Sequence, residues 1–321
     1  MTQQLNNQFV TNAPAFAQNH VLHIVDIDTT FKDLRTLRYD IHHIEPQQIF
    51  SYKSVDSASR VVYGDINPGM PPTYNGLHVV TLSQGHQNGY FPLFWLPYAN
   101  NETRKITLVD KRTTPHGGVP RIFLTSAVNG CTVVVEGTEE APTVYHLNAI
   151  RETVRNPPPN RDQEIAANRA HRDALMARRW QATLPPSRVT NTGKRAGQTL
   201  QNPVILSGAG YYPNWDRQNA GLQTALENQL AAQARTALGV QPNEIAETYF
   251  DFSAIVFGWM DTNNGNKWRF YIQRRARVTF RFTDGRSNAQ RWLSHGVITQ
   301  FWPGAGNTVT LRDRDYVVLR R

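Results

Sequence analysis

The chain has 321 residues, enough to bury one large core or two ordinary ones without a covalent staple. Its single cysteine, Cys131, excludes an internal disulfide and a Cys-rich zinc site. The formal net charge of +9 sits in the tail, where twelve Lys and Arg between Lys267 and Arg321 outnumber Asp284, Asp313 and Asp315 by nine.

Residues 1–20 are rich in Asn, Gln and Ala and read as a flexible lead-in. The stretch lacks the basic n-region and apolar run of a Sec signal, and no run of about 18 apolar residues that could span a membrane occurs further on. From residue 21 to 154 the signals are mainly β. Short runs of β-branched and aromatic residues at 20–27, 59–66, 77–83, 90–98, 104–110, 121–126, 131–137 and 143–149 are separated by Gly, Pro, Asn and Asp turns. The segment 31–44 is the one early helix expected.

Residues 155–200 read as a helical insertion and linker. "RNPPPN" ends the β pattern, and Asn160 with Gln163 forms a capping-box signature that opens a helix to about Trp180. The linker 184–199 follows. Residues 201–321 read as a helix plus a basic β-rich region, either in the same domain as 21–154 or in a second one. The helix is expected from about Asp216 to Leu238, with Leu222, Leu226, Leu230 and Leu238 along one side and Gly239 as its stop. Strands then flank an Asn-Gly turn at 264–265. The fold class expected is α+β, a β-sandwich or twisted mixed sheet with flanking helices and long loops.

The segment around Cys131 carries the candidate chemistry. Taking 131–136 and 141–146 as the strands of a hairpin with a four-residue loop pairs 136 with 141, and so 131 with 146. Cys131 and His146 then face each other with Cβ atoms about 4.5–5.5 Å apart. A one-residue slip would place them on opposite faces. An imidazole beside a thiol favours the nucleophilic thiolate, and the turn at 127–130 offers backbone N–H groups to an oxyanion, from Gly130 and Cys131. Thr125, ending the preceding strand, can orient the imidazole's other nitrogen and complete a nucleophile–base–orienter set. The other reading of a lone cysteine is a small buried hydrophobe.

Thr125, the Gly130-Cys131 step and His146 in "VYHLNA" resemble the deamidase toxins related to cytotoxic necrotizing factor, with Burkholderia lethal factor and the chemoreceptor deamidase in the wider superfamily. The resemblance covers about 122–147, and Val128-Asn129-Gly130 stands where Leu-Ser-Gly is common in the family. It implies Cys131 as nucleophile, His146 as base and Thr125 as orienter in a protein-glutamine deamidase that needs no cofactor or metal. The expected protein is then a bacterial toxin or effector, secreted or injected by a non-Sec route and acting in the host cytosol, or cytoplasmic if not exported. By family resemblance its protein substrate is a Rho-type GTPase or a translation helicase. His20, His23, His42 and His43 lack metal-ligand spacing and read as core or surface histidines. The alternative is a non-enzymatic nucleic-acid or protein binding module, in which arginines interleave with Trp268, Phe270, Tyr271, Phe280, Phe282, Trp292, Phe301 and Trp302 on the C-terminal sheet.

Overall fold

Alternating apolar runs require two buried faces, and the chain satisfies them with stacked sheets and helices. The computed structural model describes residues 2–24, 53–55, 61–69, 75–83, 86–97, 103–108, 114, 118–128, 131–147, 163, 167, 189–191, 199–206, 220–303, 308–310 and 316–318. The strands are β1 (Val21–Ile24), β2 (Lys53–Val55), β3 (Val61–Pro68), β4 (Leu77–Ser83), β5 (Phe91–Leu96), β6 (Thr103–Thr107), β7 (Ile122–Thr125), β8 (Thr132–Thr138) and β9 (Ala141–Leu147). They continue with β10 (Val189–Asn191), β11 (Thr199–Leu206), β12 (Ile245–Asp261), β13 (Lys267–Phe282), β14 (Ala289–Ser294), β15 (Thr299–Trp302), β16 (Thr308–Thr310) and β17 (Tyr316–Val318). The helices are α1 (Thr2–Thr11), α2 (Ala13–Asn19) and α3 (Ala220–Leu238).

The molecule is α+β and mostly sheet, with open mixed sheets. One sheet has the order β1-β4-β3-β5-β7-β12-β13-β14, with β15 also on β13. The second has the order β16-β11-β8-β9-β6-β2, and β10 pairs with β17 in a separate ribbon. The two large sheets share a core. Phe94, Leu96, Phe123, Val256 and Phe270 from the first pack against Ile106, Cys131, Val133, Val135 and Val144 from the second. On its other face the first sheet turns Trp95, Leu124, Ile255 and Phe257 toward the N-terminal helices.

The spine is the β12–β13 hairpin, in register from Glu247↔Arg281 to Asp261↔Lys267. Its turn carries Gly265 and Asn266 at φ 71° and 57°, which the Asn-Gly signal anticipates. Alternation is kept along it: Val278, Phe280 and Phe282 are buried under Leu230, Ala231 and Ala234 of α3, while Arg281 is exposed. The helix ends at Leu238, and Gly239 at φ 67° terminates it.

The expectation for the N-terminus fails. Residues 1–20 are not a loose lead-in: α1 and α2 bury Phe9, Ala13, Phe16 and Ala17 against the first sheet. Asn12 caps α2 by accepting from the Ala15 N–H at 3.1 Å, and a proline follows in the first turn. The buried Asn6 side chain donates to Asp65 Oδ1 at 2.7 Å and to Gly89 O at 2.9 Å, and accepts from the Ile66 N–H at 2.8 Å. Those bonds satisfy a polar helix face that composition alone assigns to solvent. The helix expected at 31–44, most of that at 161–180 and the start expected for α3 at 216–219 lie outside the described residues.

Candidate functional site

Strand β7 places Thr125 on the face it shares with Phe123, toward the second sheet, beside Leu96 of the parallel strand β5. Strand β9 places His146 on the face shared with Val144, toward the first sheet. The two side chains meet between the sheets, with Thr125 Oγ1 2.6 Å from His146 Nδ1. Thr125 Oγ1 also donates its proton to the Leu96 carbonyl at 2.6 Å. A hydroxyl has one proton and a carbonyl can only accept, so His146 Nδ1 must donate to Thr125. That chain of bonds selects the Nδ1–H tautomer and leaves the lone pair on Nε2.

His146 is 1% exposed. Burial pushes its pKa down to about 3, and the positive charge of Arg104 adds to the effect. Arg104 on β6 is the cross-strand partner of His146, with Val133 of β8 on the other side, so Val133, His146 and Arg104 form one row. The sequence reading gives Arg104 no role. Its signal is positional, since it opens the strand run 104–110, but only the pairing of β6 with β9 brings it beside the histidine.

The hairpin register differs from the expected one by two residues. Thr138 pairs with Ala141 and Val133 with His146, so Cys131 is diagonal to the histidine rather than opposite it. The shift is even, so both residues keep the face toward the sandwich core. Diagonal neighbours in an antiparallel pair stand roughly 7 Å apart instead of about 5 Å. The cause is a shorter loop. Gly137 takes φ 99° within the strand, and Thr138 Oγ1 accepts from the Ala141 N–H at 3.1 Å, leaving only Glu139 and Glu140 in the turn. The tip is docked as well: the Trp268 N–H donates to Glu139 O at 2.7 Å, and the Glu139 carboxylate lies 3.4 Å from Lys267 Nζ.

Cys131 is 4% exposed and packs in the apolar cluster between the sheets. Gly130, one of the two expected oxyanion donors, lies outside the described residues. In the same turn, the Val128 N–H is bonded to Ala254 O at 2.9 Å, which removes it from any oxyanion role.

Arginines of the described C-terminal segment are engaged within the fold, while Arg312, Arg314, Arg320 and Arg321 lie outside the described residues. Arg277 pairs with Asp251 at 3.0 Å, Arg281 with Glu247 at 3.1 Å and Arg286 with Glu244 at 2.7 Å. Arg275 is buried against Ser253 and Leu22 O. Trp268, Phe270, Phe280, Phe282, Trp292 and Trp302 are buried, and Tyr271 and Phe301 are half-buried. His20 stacks beside Phe16 and His78, and His23 Nδ1 lies 3.2 Å from Arg275 Nη1, while His42 and His43 lie outside the described residues. Among the described residues no helix is long and apolar enough to cross a membrane.

Fold and site together define an α+β protein with a buried Thr-His pair and a nearby thiol between two packed sheets. No protein-family model and no curated protein matches the chain.

Proposed function

We propose that the chain is a cysteine-dependent amide hydrolase that converts a glutamine side chain of a target-cell protein to glutamate, as a bacterial toxin or effector acting in the host cytosol. The observation that carries this reading is the Leu96–Thr125–His146 chain, which holds a neutral imidazole with its proton on Nδ1 and its lone pair on Nε2. The Cys131 thiol gives its proton to Nε2 as sulfur attacks the carboxamide carbon. The C–N bond breaks, ammonia leaves with that proton, and a thioester remains. Water then adds, activated by the same nitrogen, the C–S bond breaks, and the sulfur regains its proton. A Rho-type GTPase or a translation helicase is the substrate class that the family resemblance suggests.

A second reading is favoured by the burial of Cys131 in an apolar cluster. In it the Thr125–His146 bond ties the sheets together, the thiol fills space, and the protein acts by binding another macromolecule through its surface. One experiment separates the two. The protein and its Cys131→Ala variant are incubated with host-cell lysate, and mass spectrometry maps glutamines that gain about one mass unit, the change from amide to acid. Deamidation by the wild type alone supports the hydrolase. Identical maps, from variants that both remain folded, overturn it.

A further inference from the structure

We propose that the seam joining the N-terminal segment (α1, α2 and β1) to strand β13 is an acid-released latch, in which histidines on the seam gain charge and detach residues 2–24 while the two-sheet body stays folded. This inference is independent of the hydrolase reading.

The seam is built differently from the rest of the sheet. Strand β1 pairs with β4 on one side through the backbone. Toward β13 its backbone is held by side chains instead. Gln273 accepts from the Leu22 N–H at 2.8 Å, and its amide donates to Ala17 O at 2.6 Å and His20 O at 2.7 Å. Arg275 donates to Leu22 O at 2.6 Å. Two side chains thus replace the ladder that another strand would supply. Release of residues 2–24 therefore breaks these side-chain bonds together with the four-residue β1–β4 ladder at the edge of the sheet, and leaves the pairing of the remaining strands intact.

Histidines line both faces of β1 at this seam. On the inner face the His20 and His78 rings lie 4.2 Å apart, and the Phe16 ring of α2 lies 4.2 Å from His20. His78 Nδ1 is buried without a hydrogen-bond partner. On the outer face His23 Nδ1 accepts from Arg275 at 3.2 Å, a bond that requires the neutral ring because the guanidinium can only donate. Protonation there destroys an acceptor and sets a cation against Arg275. Protonating both inner rings sets two cations in van der Waals contact beside an aromatic face.

The surrounding elements supply more positive charge. Helix α2 has no titratable side chain. Strand β13 contributes Arg275 and Arg277, with Arg274 on its opposite face, and β14 contributes Arg291 and the Trp292 ring that Arg275 covers at 4.6 Å. His295 follows β14, its N–H bonded to Arg274 O. Of the carboxylates on β12, Asp251 is engaged by Arg277 at 3.0 Å and Glu247 by Arg281 at 3.1 Å. Burial lowers the pKa of all three seam histidines, with Arg275 adding to the effect on His23, whose pKa falls to about 4, and His20 adding to the effect on His78. The folded seam therefore resists protonation more than the released chain does. Its stability is complete above the ordinary value of 6.5 and is lost as pH falls toward about 4.

The test is hydrogen–deuterium exchange of the full chain between pH about 7.5 and about 4.5, corrected for intrinsic exchange, with protection read peptide by peptide. The expected result is a loss of protection within residues 5–24 at the acid end that exceeds any loss in the β12–β13 hairpin by at least about tenfold. A His23→Gln, His78→Gln double variant should keep its N-terminal protection at low pH. The proposal is overturned if the wild-type N-terminal segment stays protected, if it opens only together with the hairpin, or if the double variant opens equally. Should the double variant fail to fold at neutral pH, the wild-type profile alone still decides, through the first two outcomes.

Discussion

Replacing Thr125 by valine tests the bond network at the centre of the site. The side chain is fully buried, and valine keeps its shape while removing the hydroxyl. Two hydrogen bonds of 2.6 Å are lost, to Leu96 O and from His146 Nδ1–H. Each is worth about 1 kcal/mol net, and leaving the imidazole N–H buried and unpaired costs a further ~1–3 kcal/mol. A tautomer change to Nε2–H relieves part of that last cost, so the expected destabilisation is about 2–4 kcal/mol. Thr125→Ser is the control. It keeps the hydroxyl and deletes one buried methyl, for a loss of about 1 kcal/mol. Urea unfolding of the three proteins measures the costs, and the ¹⁵N shifts of the His146 ring report the tautomer. The serine variant should retain the Nδ1–H form and the valine variant should lose it. Valine within about 0.5 kcal/mol of wild type, with an unchanged tautomer, would refute the proton assignment.

Four further outcomes follow from other parts of the structure. Burial holds His146 neutral down to about 3 and His295 down to about 4, whereas the unfolded chain protonates both near 6.5, so stability should be full above that value and decline as pH falls through the window. The His146 share alone approaches about 5 kcal/mol, and urea midpoints against pH should show a much flatter acid slope in His146→Gln. At Gly137, φ is 99° and an added Cβ would lie 3.1 Å from Ala141 O, so Gly137→Ala should cost about 1–3 kcal/mol by the same assay. Gly221→Ala, in open space on α3, should instead be neutral or stabilising by up to about 1 kcal/mol. Asn6→Ala removes three bonds and strands the Ile66 N–H, so it should lower stability by about 2–4 kcal/mol and speed proteolytic cleavage within α1.

Strand positions were the most legible part of the sequence, because runs of β-branched and aromatic residues such as 77–83 mark strands and alternation at 277–282 reports which side meets the core. The N-terminal helices were concealed by composition. Phe9, Ala13, Phe16 and Ala17 do recur at helical spacing, but the polar residues between them suggest disorder until Asn6 is seen bonded to Asp65. The hairpin register was misread because "GTEE" looks like loop throughout. Gly137 and Thr138 in fact extend the strand, and the tip is fixed by Trp268 and Lys267 from a distant segment. The surplus of tail arginines was visible, whereas the carboxylates at 244, 247 and 251 that pair with Arg286, Arg281 and Arg277 lie outside that tail and emerge only once β12 and β13 pair.

The protonation state of His146 limits what kind of thiol chemistry the site can support. A preformed thiolate–imidazolium pair would need the ring to hold a proton at neutral pH, and here both burial and Arg104 oppose that. The resting ring is therefore neutral, with its one proton directed at Thr125. Any attack by Cys131 must then be coupled to proton transfer onto Nε2, so that His146 works as a general base rather than as a counter-ion. Such a base needs an approach of about 3 Å to the thiol, less than the diagonal register gives between backbones but within the reach of an imidazole and a Cys side chain directed at each other. A substrate must also reach a sulfur enclosed by the apolar cluster. Because Cys131 is the sole thiol, the rate at which iodoacetamide alkylates the native protein measures that access directly.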